Sequence, residues 1–342
     1  MILPRRPEET SAARRGARRA LFALLLLFGI LALAEGVLRI AAFERRIPPF
    51  VLFHPVGEKV EASLLARPEI VSEETILWRI RPNQTFGLED RLTYRVNASG
   101  FRGPEPTDPK PPGARRVVAI GESVTFGLGV PEEWSFVSRI PEFLGSSAGT
   151  VEIANGGVPG YTSYQGRHLL ESTALSWEPD AVLFYFGAGN ELRAASLTDR
   201  ERGSQMPSPL LRRLGGLRIL QALGTLLARP PAETRTVRVP LSEFEDDLER
   251  MVALARGANA LPLLVVPPVS PELGKAFPIL RYYQSTLRRV SARSRVPLAD
   301  AAAVFESHST PSTLFIDLAH LTIEGHGLLA ETIASTLGRA GF

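Results

Sequence analysis

From residue 115 onward the chain alternates compact apolar runs with amphipathic stretches of helical length, and this alternation limits the available folds more than any other feature. RRVVAIG, VEIANGG, AVLFYFG and LPLLVVPP each read as a buried strand, and VPLADAAAVF as a weaker fifth. Between them the spacing predicts helices over about Trp134 to Leu144, Thr162 to Ser176, LSEFEDDLERMVALARG and about Phe277 to Arg293. Strands that are apolar at every position must be covered on both faces, and strands separated by whole helices are joined by crossovers. The expected class is therefore α/β: a parallel five-stranded sheet between two helical layers, a three-layer α/β/α sandwich. In such sheets ligands bind beyond the carboxyl ends of the strands. Chemistry is to be sought in the residues immediately after each strand.

The N-terminal segment has a different character. RRGARRALFALLLLFGILALAEGVLRIAAF sets arginines directly before an apolar run from Leu21 that continues to about Phe43 when Glu35 and Arg39, four apart, pair on one helix face. A spanning helix needs roughly 20 apolar residues, which this segment reaches. Arg5, Arg6, Arg14, Arg15, Arg18 and Arg19 precede it against Arg39, Arg45 and Arg46 after it. That asymmetry predicts a cytoplasmic N-terminus and an exported main domain. The competing reading is a cleaved signal peptide, because Ala32-Leu33-Ala34 has the small-x-small form of a cleavage site.

The expected organisation is a basic cytoplasmic tail over 1–19, a transmembrane signal-anchor helix over 20–43, an extracytoplasmic extension over 44–114 and the α/β domain over 115–342. The extension holds short strand-like pieces, ETILWRI and LTYRVN, between RPNQ and NASG turns, and the Pro-rich EPTDPKPPG closes it. Residues 193–238 interrupt the α/β pattern with SPLLRRLGGLRILQALGTLLARPP, basic and apolar together. This insertion reads as a surface helix, as a lid over the site, or as a surface that touches a membrane.

Composition removes several function classes. The chain has no cysteine, which excludes disulfides, thiolate metal sites and a Cys nucleophile. Its net charge of +3 derives from a basic terminal tail and not from a stripe interleaved with aromatics, so no nucleic-acid partner is expected. None of the five histidines has a metal-ligand partner at a recognisable spacing, so no metal is expected. No strand is followed by a Gly-x-Gly-x-x-Gly or Walker-type loop, so no nucleotide cofactor is expected.

Three strand ends carry short signatures, and a fourth lies near the C-terminus. GESVTFG places Ser123 at a strand-to-helix turn, where its own N–H meets a helix N-terminus favourable to negative charge. NGGVPGYTSYQG places Gly160 after Pro159, where a glycine lets backbone approach a ligand and offer an open N–H. FGAGNEL presents Asn190, whose amide is able to donate to an oxyanion or to serve as a loop cap. Finally, LFIDLAHLTIEGHG places Asp317 three residues before His320, either as the N-cap of the last helix or as the orienting half of a proton-transfer pair. Together they supply every role that a serine nucleophile needs: a base, an acid to hold the base, and oxyanion donors.

The order Ser, Gly, Asn, Asp-x-x-His resembles that of the SGNH, or GDSL-like, hydrolase family. GESVTFG is similar to the first block of that family, with Glu122 where Asp is usual. GVPGYTSYQG resembles the second, with the oxyanion glycine at Gly160 or, as the alternative assignment, Gly157. FGAGNEL resembles the third, with Glu191 in place of the usual second acid, and DLAH resembles the last. The likeness spans roughly residues 115 to 342, and NASGFRGPE upstream resembles a segment of membrane-anchored bacterial members. The resemblance implies a flavodoxin-like fold and cleavage or transfer of O-acyl groups. It gives Ser123, Asp317 and His320 the catalytic roles, and the oxyanion hole to Ser123, Gly160 and Asn190. The activity it implies is a serine esterase acting on O-acyl, and specifically acetyl, esters of carbohydrates or small molecules in the bacterial envelope. The chain would be single-pass in the inner membrane, with its catalytic domain periplasmic. The alternatives are an O-acyltransferase that modifies an exported polysaccharide and a non-catalytic envelope scaffold. His326 reads as a packed or capping residue of the closing helix.

Overall fold

The five apolar runs are strands of one parallel sheet: β1 (Arg115–Gly121), β2 (Val151–Gly157), β3 (Ala181–Tyr185), β4 (Leu261–Val265) and β5 (Leu298–Ala299). Their order across the sheet is β5-β4-β3-β1-β2, the doubly wound order in which the crossover direction reverses between β1 and β3. β3 is buried at all five positions and β1 at six of seven, as a sheet covered on both faces requires. The computed structural model of the chain describes residues 7–41, 70–73, 76–87, 92–145, 149–195, 197–204, 217–219, 222 and 236–342. Residues 44–69 of the expected extension, and most of the 193–238 insertion, lie outside the described residues.

The helices form the two outer layers. Phe136–Leu144 and Ile323–Arg339 pack together on one face. There Phe136, Val137, Ile140, Leu329 and Ile333 bury against Val117, Ala119, Leu183 and Val265 of the sheet. Ser163–Ser172, Leu241–Gly257 and Leu280–Ser294 pack in sequence on the other. Most boundaries lie close to the expected ones. The helix expected from about Phe277 starts instead at Leu280, because a short helix, Pro271–Ala276, capped by Ser270, occupies the loop before it. The weak fifth strand shrinks to two residues before Asp300 caps the helix Ala301–Glu306.

The extension contributes two small antiparallel ladders among its described residues, Ile70–Glu73 with Leu77–Ile80 and Thr85–Gly87 with Thr93–Arg95. Arg102, from NASGFRG, is buried to 2 % exposure beneath the turn that follows β1. Its guanidinium donates to the carbonyls of Phe126 (3.0 Å), Gly127 and Val130 (2.8 Å). These carbonyls end the four-residue helix Ser123–Phe126 and the loop beyond it, groups that a helix terminus leaves without internal partners.

The chain divides into two compact units, Met1–Pro48 with Pro207–Pro230, and Pro49–Met206 with Pro231–Phe342. The first contains the helix Pro7–Ile40, whose stretch Arg15–Ile40 is apolar and long enough to cross a membrane. Within this helix Arg39 Nε donates to Glu35 Oε1 at 2.7 Å, the expected i,i+4 pair. Glu35 Oε2 accepts from the Ile219 backbone N–H at 3.0 Å. In the second unit the described root of the insertion is closed by an antiparallel pairing of Ala194–Ala195 with Thr236–Val237.

Candidate active site

The register of the sheet brings three of the four signatures to one edge, and the Asp317–His320 loop reaches the same edge through its contact with Ser123. Gly121 is level with Gly157 on one side and with Tyr185 on the other, and Tyr185 in turn is level with Val265. The residues that follow β1, β2 and β3 therefore emerge side by side. Val158 N–H donates to the Gly121 carbonyl (3.1 Å), which ties the second loop to the first.

Ser123 is the first residue of a helical turn directly after β1. Its Oγ lies 3.0 Å from His320 Nε2, and His320 Nδ1 lies 2.7 Å from Asp317 Oδ2. An ionised carboxylate only accepts hydrogen bonds, so the ring proton sits on Nδ1 and the bare Nε2 faces the serine hydroxyl. Burial pushes the Asp317 carboxyl up, but the hydrogen bond and charge of His320 and the backbone N–H groups of His320 and Ala319 outweigh it and hold the group below the usual range. Asp317 is not the cap of the last helix. That helix starts at Ile323 and is capped by Thr322, whose side chain accepts from Gly325 N–H at 3.2 Å. Asp317 to His320 instead form a tight loop closed by an antiparallel bridge between Phe315 and Leu321. Within that loop Asp317 Oδ1 accepts from the N–H of Ala319 (2.8 Å) and of His320 (2.7 Å).

Gly160 occupies a reverse turn from Val158 to Tyr161, closed by Tyr161 N–H donating to the Val158 carbonyl at 3.1 Å. Pro159 and Gly160 take its two central positions, and Gly160 has φ +82°, the left-handed value that the second central position of a type II turn demands. The N–H groups of Ser123 and Gly160 meet no acceptor among the described residues. Gly157 is glycine for a different reason: a Cβ there would sit 2.2 Å from the Phe126 nitrogen. Its place is one of close packing beneath the helix Ser123–Phe126.

Asn190 starts a short 3-10 turn after β3. Its amide nitrogen donates to Glu122 Oε2 and to the Tyr161 carbonyl (3.1 Å), while its Oδ1 accepts from Arg193 Nε at 3.1 Å. Glu122 and Glu191, the two positions where the sequence departs from the family's blocks, are both buried here, at 4 % and 1 % exposure. Burial, then the charge of the other carboxylate, pushes Glu122 up to about 8. Burial likewise raises Glu191. Glu191 Oε1 accepts from Ser163 N–H at 3.3 Å, and its Oε2 has no hydrogen-bond partner.

Two supporting arginines were not singled out by the sequence. Arg102 had a faint signal, the NASGFRGPE segment. Arg238 had none, since it stands at the far root of the insertion. Arg238 is 4 % exposed and donates to the Gly160 carbonyl (2.7 Å), Gln165 Oε1 (2.7 Å) and both carboxylate oxygens of Asp199. Thr162, the residue before the next helix, donates its hydroxyl to Asp199 Oδ2 at 2.8 Å. Among the described residues no cluster of His, Asp and Glu has the form of a metal site. His326 is fully buried, with Nδ1 accepting from Phe136 N–H at 3.1 Å, as a packed residue.

Comparison with known proteins gives a consistent picture. A model of the GDSL-like lipase/acylhydrolase family matches residues 119–328. Similar solved structures include the lipase/acylhydrolase from Enterococcus faecalis, at 19 % identity over 66 % of this chain and 96 % of that one, with a TM-score of 0.47. They also include Axe2, an acetylxylan esterase from Geobacillus stearothermophilus, at 17 % identity over 66 % of this chain and 94 % of that one, with a TM-score of 0.44. No curated protein sequence matches the chain.

Proposed function

This chain belongs to the GDSL-like lipase/acylhydrolase family and is an ester-hydrolysing enzyme, and from that premise we propose that it is a membrane-held serine esterase with Ser123 as nucleophile. The observation that carries the reading is the unbroken run of contacts from Ser123 Oγ through His320 to Asp317, made between residues 197 apart in the chain. Ser123 attacks the ester carbonyl while His320 Nε2 takes its proton, and the same imidazole returns the proton to the departing alcohol. Asp317 holds the ring in the required tautomer and stabilises the imidazolium. The N–H groups of Ser123 and Gly160, with the Asn190 amide, take the oxyanion. Water then repeats the sequence on the acyl-enzyme.

The substrates proposed are O-acyl esters, acetyl foremost, on carbohydrates or small molecules outside the cytoplasmic membrane. The side chains of His320 and Asp317 are 22 % and 54 % exposed, an open arrangement that admits an ester carried on a bulky alcohol. The same openness favours hydrolysis over acyl transfer, which works best where water is excluded. The apolar stretch Arg15–Ile40 supports a membrane anchor, and the arginines that precede it favour an outward-facing catalytic unit.

The test is turnover of p-nitrophenyl acetate by the full chain in detergent, with Ser123→Ala alongside, and labelling by a fluorophosphonate. Turnover and labelling that both vanish in the variant support the reading. A folded wild type that is no faster than the variant and takes no label overturns it.

A further inference from the structure

An amide nitrogen has two hydrogens, and both of those on Asn190 are engaged, one by the Tyr161 carbonyl and one by the Glu122 carboxyl. An oxyanion claiming this donor must displace one of the two. The Tyr161 carbonyl belongs to the turn that Arg238 pins at Gly160. The Glu122 carboxyl is a side-chain group that changes charge. On the reading given above, we propose that Glu122 is a positioning residue that governs the Asn190 donor through its own protonation: neutral Glu122 releases the amide to the oxyanion, and ionised Glu122 retains it.

The surroundings favour the neutral form at rest. Glu122 faces Glu191 from the turn that also bears Asn190, and Tyr185 from the end of β3, whose hydroxyl has no hydrogen-bond partner. The opposing cations are Arg193, just after that turn, and Arg238, from the root of the insertion. Arg238 is already committed to Asp199, and Arg193 to the Asn190 side-chain Oδ1. Two buried carboxyls therefore share a site in which full ionisation would leave like charges unmatched, so the pair retains a proton. A neutral carboxyl is the weaker acceptor, because hydrogen bonds to ionised groups are roughly twice as strong. Ionisation would also place a negative charge beside the developing oxyanion. Both effects act in the same direction. A carboxyl one methylene longer than the family's usual acid at this position reaches the amide in this chain.

The pH profile of kcat/KM for p-nitrophenyl acetate, measured on the full chain, tests this. Wild type is expected to lose activity above about pH 8, approaching roughly tenfold per pH unit, as for one essential acid. Glu122→Gln keeps the acid limb and loses the alkaline one. Glu191→Gln removes the charge that raises Glu122 and shifts the alkaline limb to lower pH. An alkaline limb of the same position in both variants, with circular dichroism unchanged, overturns the proposal. Infrared difference spectra of wild type against Glu122→Gln give a readout independent of turnover: a protonated-carboxyl band at pH 7 that titrates away above pH 8. Absence of that band overturns the proposal even if the chain is an active esterase, whereas a Ser123-independent turnover would instead overturn the esterase reading. Should the Glu122→Gln variant fail to fold, the shift in Glu191→Gln decides alone.

Discussion

At the scale of single residues, the proposed mechanism depends on placed protons. Asp317 receives three hydrogen bonds, two from backbone and one from the ring, so it remains charged and fixes the His320 tautomer. Asp317→Asn keeps the shape but offers an N–H where the ring needs an acceptor, turning a bare nitrogen away from Ser123. Its kcat for p-nitrophenyl acetate should fall on the order of 10³ to 10⁴ with the fold intact. His326 has the opposite character. Burial, then the charge of Arg102, pushes its ring down to about 3. The unfolded chain therefore binds a proton below about pH 6.5 that the folded chain refuses, and each pH unit lost between there and about 3 costs about 1.4 kcal/mol. Stability from urea titrations should decline between pH 6.5 and 4.5 in wild type, and that slope should flatten in His326→Gln, which keeps an acceptor for Phe136 N–H.

At the scale of elements, the reactive edge is held from below by parts of the chain that carry no chemistry. Arg102 closes the carbonyl end of the nucleophile helix, and Gly157 lets that helix sit directly on β2. The Gly160 turn is fastened to the root of the insertion: Arg238 joins the Gly160 carbonyl, Gln165 and Asp199 in one buried group, and Asp199 in turn receives Thr162. Removing Arg238 leaves Asp199 with Arg202 alone, whose Nη1 stands 3.6 Å away, and strips the buried Gly160 carbonyl, Gln165 Oε1 and Asp199 oxygens of their donor. Arg238→Gln should therefore cost about 3 kcal/mol, seen as a lowered thermal midpoint, and Arg238→Gln with Asp199→Asn should recover little of it, because buried Arg202 then loses its carboxylate. Activity should not recover either. The Gly160 peptide stays loose in the double variant, so kcat remains depressed while KM changes little.

At the scale of the whole molecule, the catalytic unit and the apolar helix are separate compact units of one chain. The helical stretch Arg15–Ile40 contains 26 residues, which at 1.5 Å per residue gives roughly 39 Å, enough for the hydrocarbon core of a bilayer. Because the chain has no cysteine, single introduced thiols report topology cleanly. Ser309→Cys, on an exposed loop, should react with a membrane-impermeant maleimide applied from the extracytoplasmic side, while Ser11→Cys should react only after the membrane is permeabilised. Full-length protein in the carbonate-washed membrane pellet would distinguish the anchor from a cleaved signal.

The class of fold could be read from the residues alone, and the same reading put forward Ser123, Asn190, Asp317 and His320 as the proposed site. Apolar runs with no polar face admit only a sheet buried on both sides, and strand ends in such a sheet are where reactive groups collect. Pro159-Gly160 was legible for a similar reason, since the turn requires a left-handed second position that glycine adopts without strain. Pairwise approach was not legible. Of the two readings of Asp317, the helix cap falls away because Thr322, five residues on, takes it, while Asp317 lies in a loop closed by the bridge between Phe315 and Leu321. The partnership of Glu122 with Asn190 and Glu191, and the reach of Arg238 to Gly160, join residues tens of positions apart. Local periodicity carries no information about such distances, because they follow from strand order and register, and those are settled only when the layers pack.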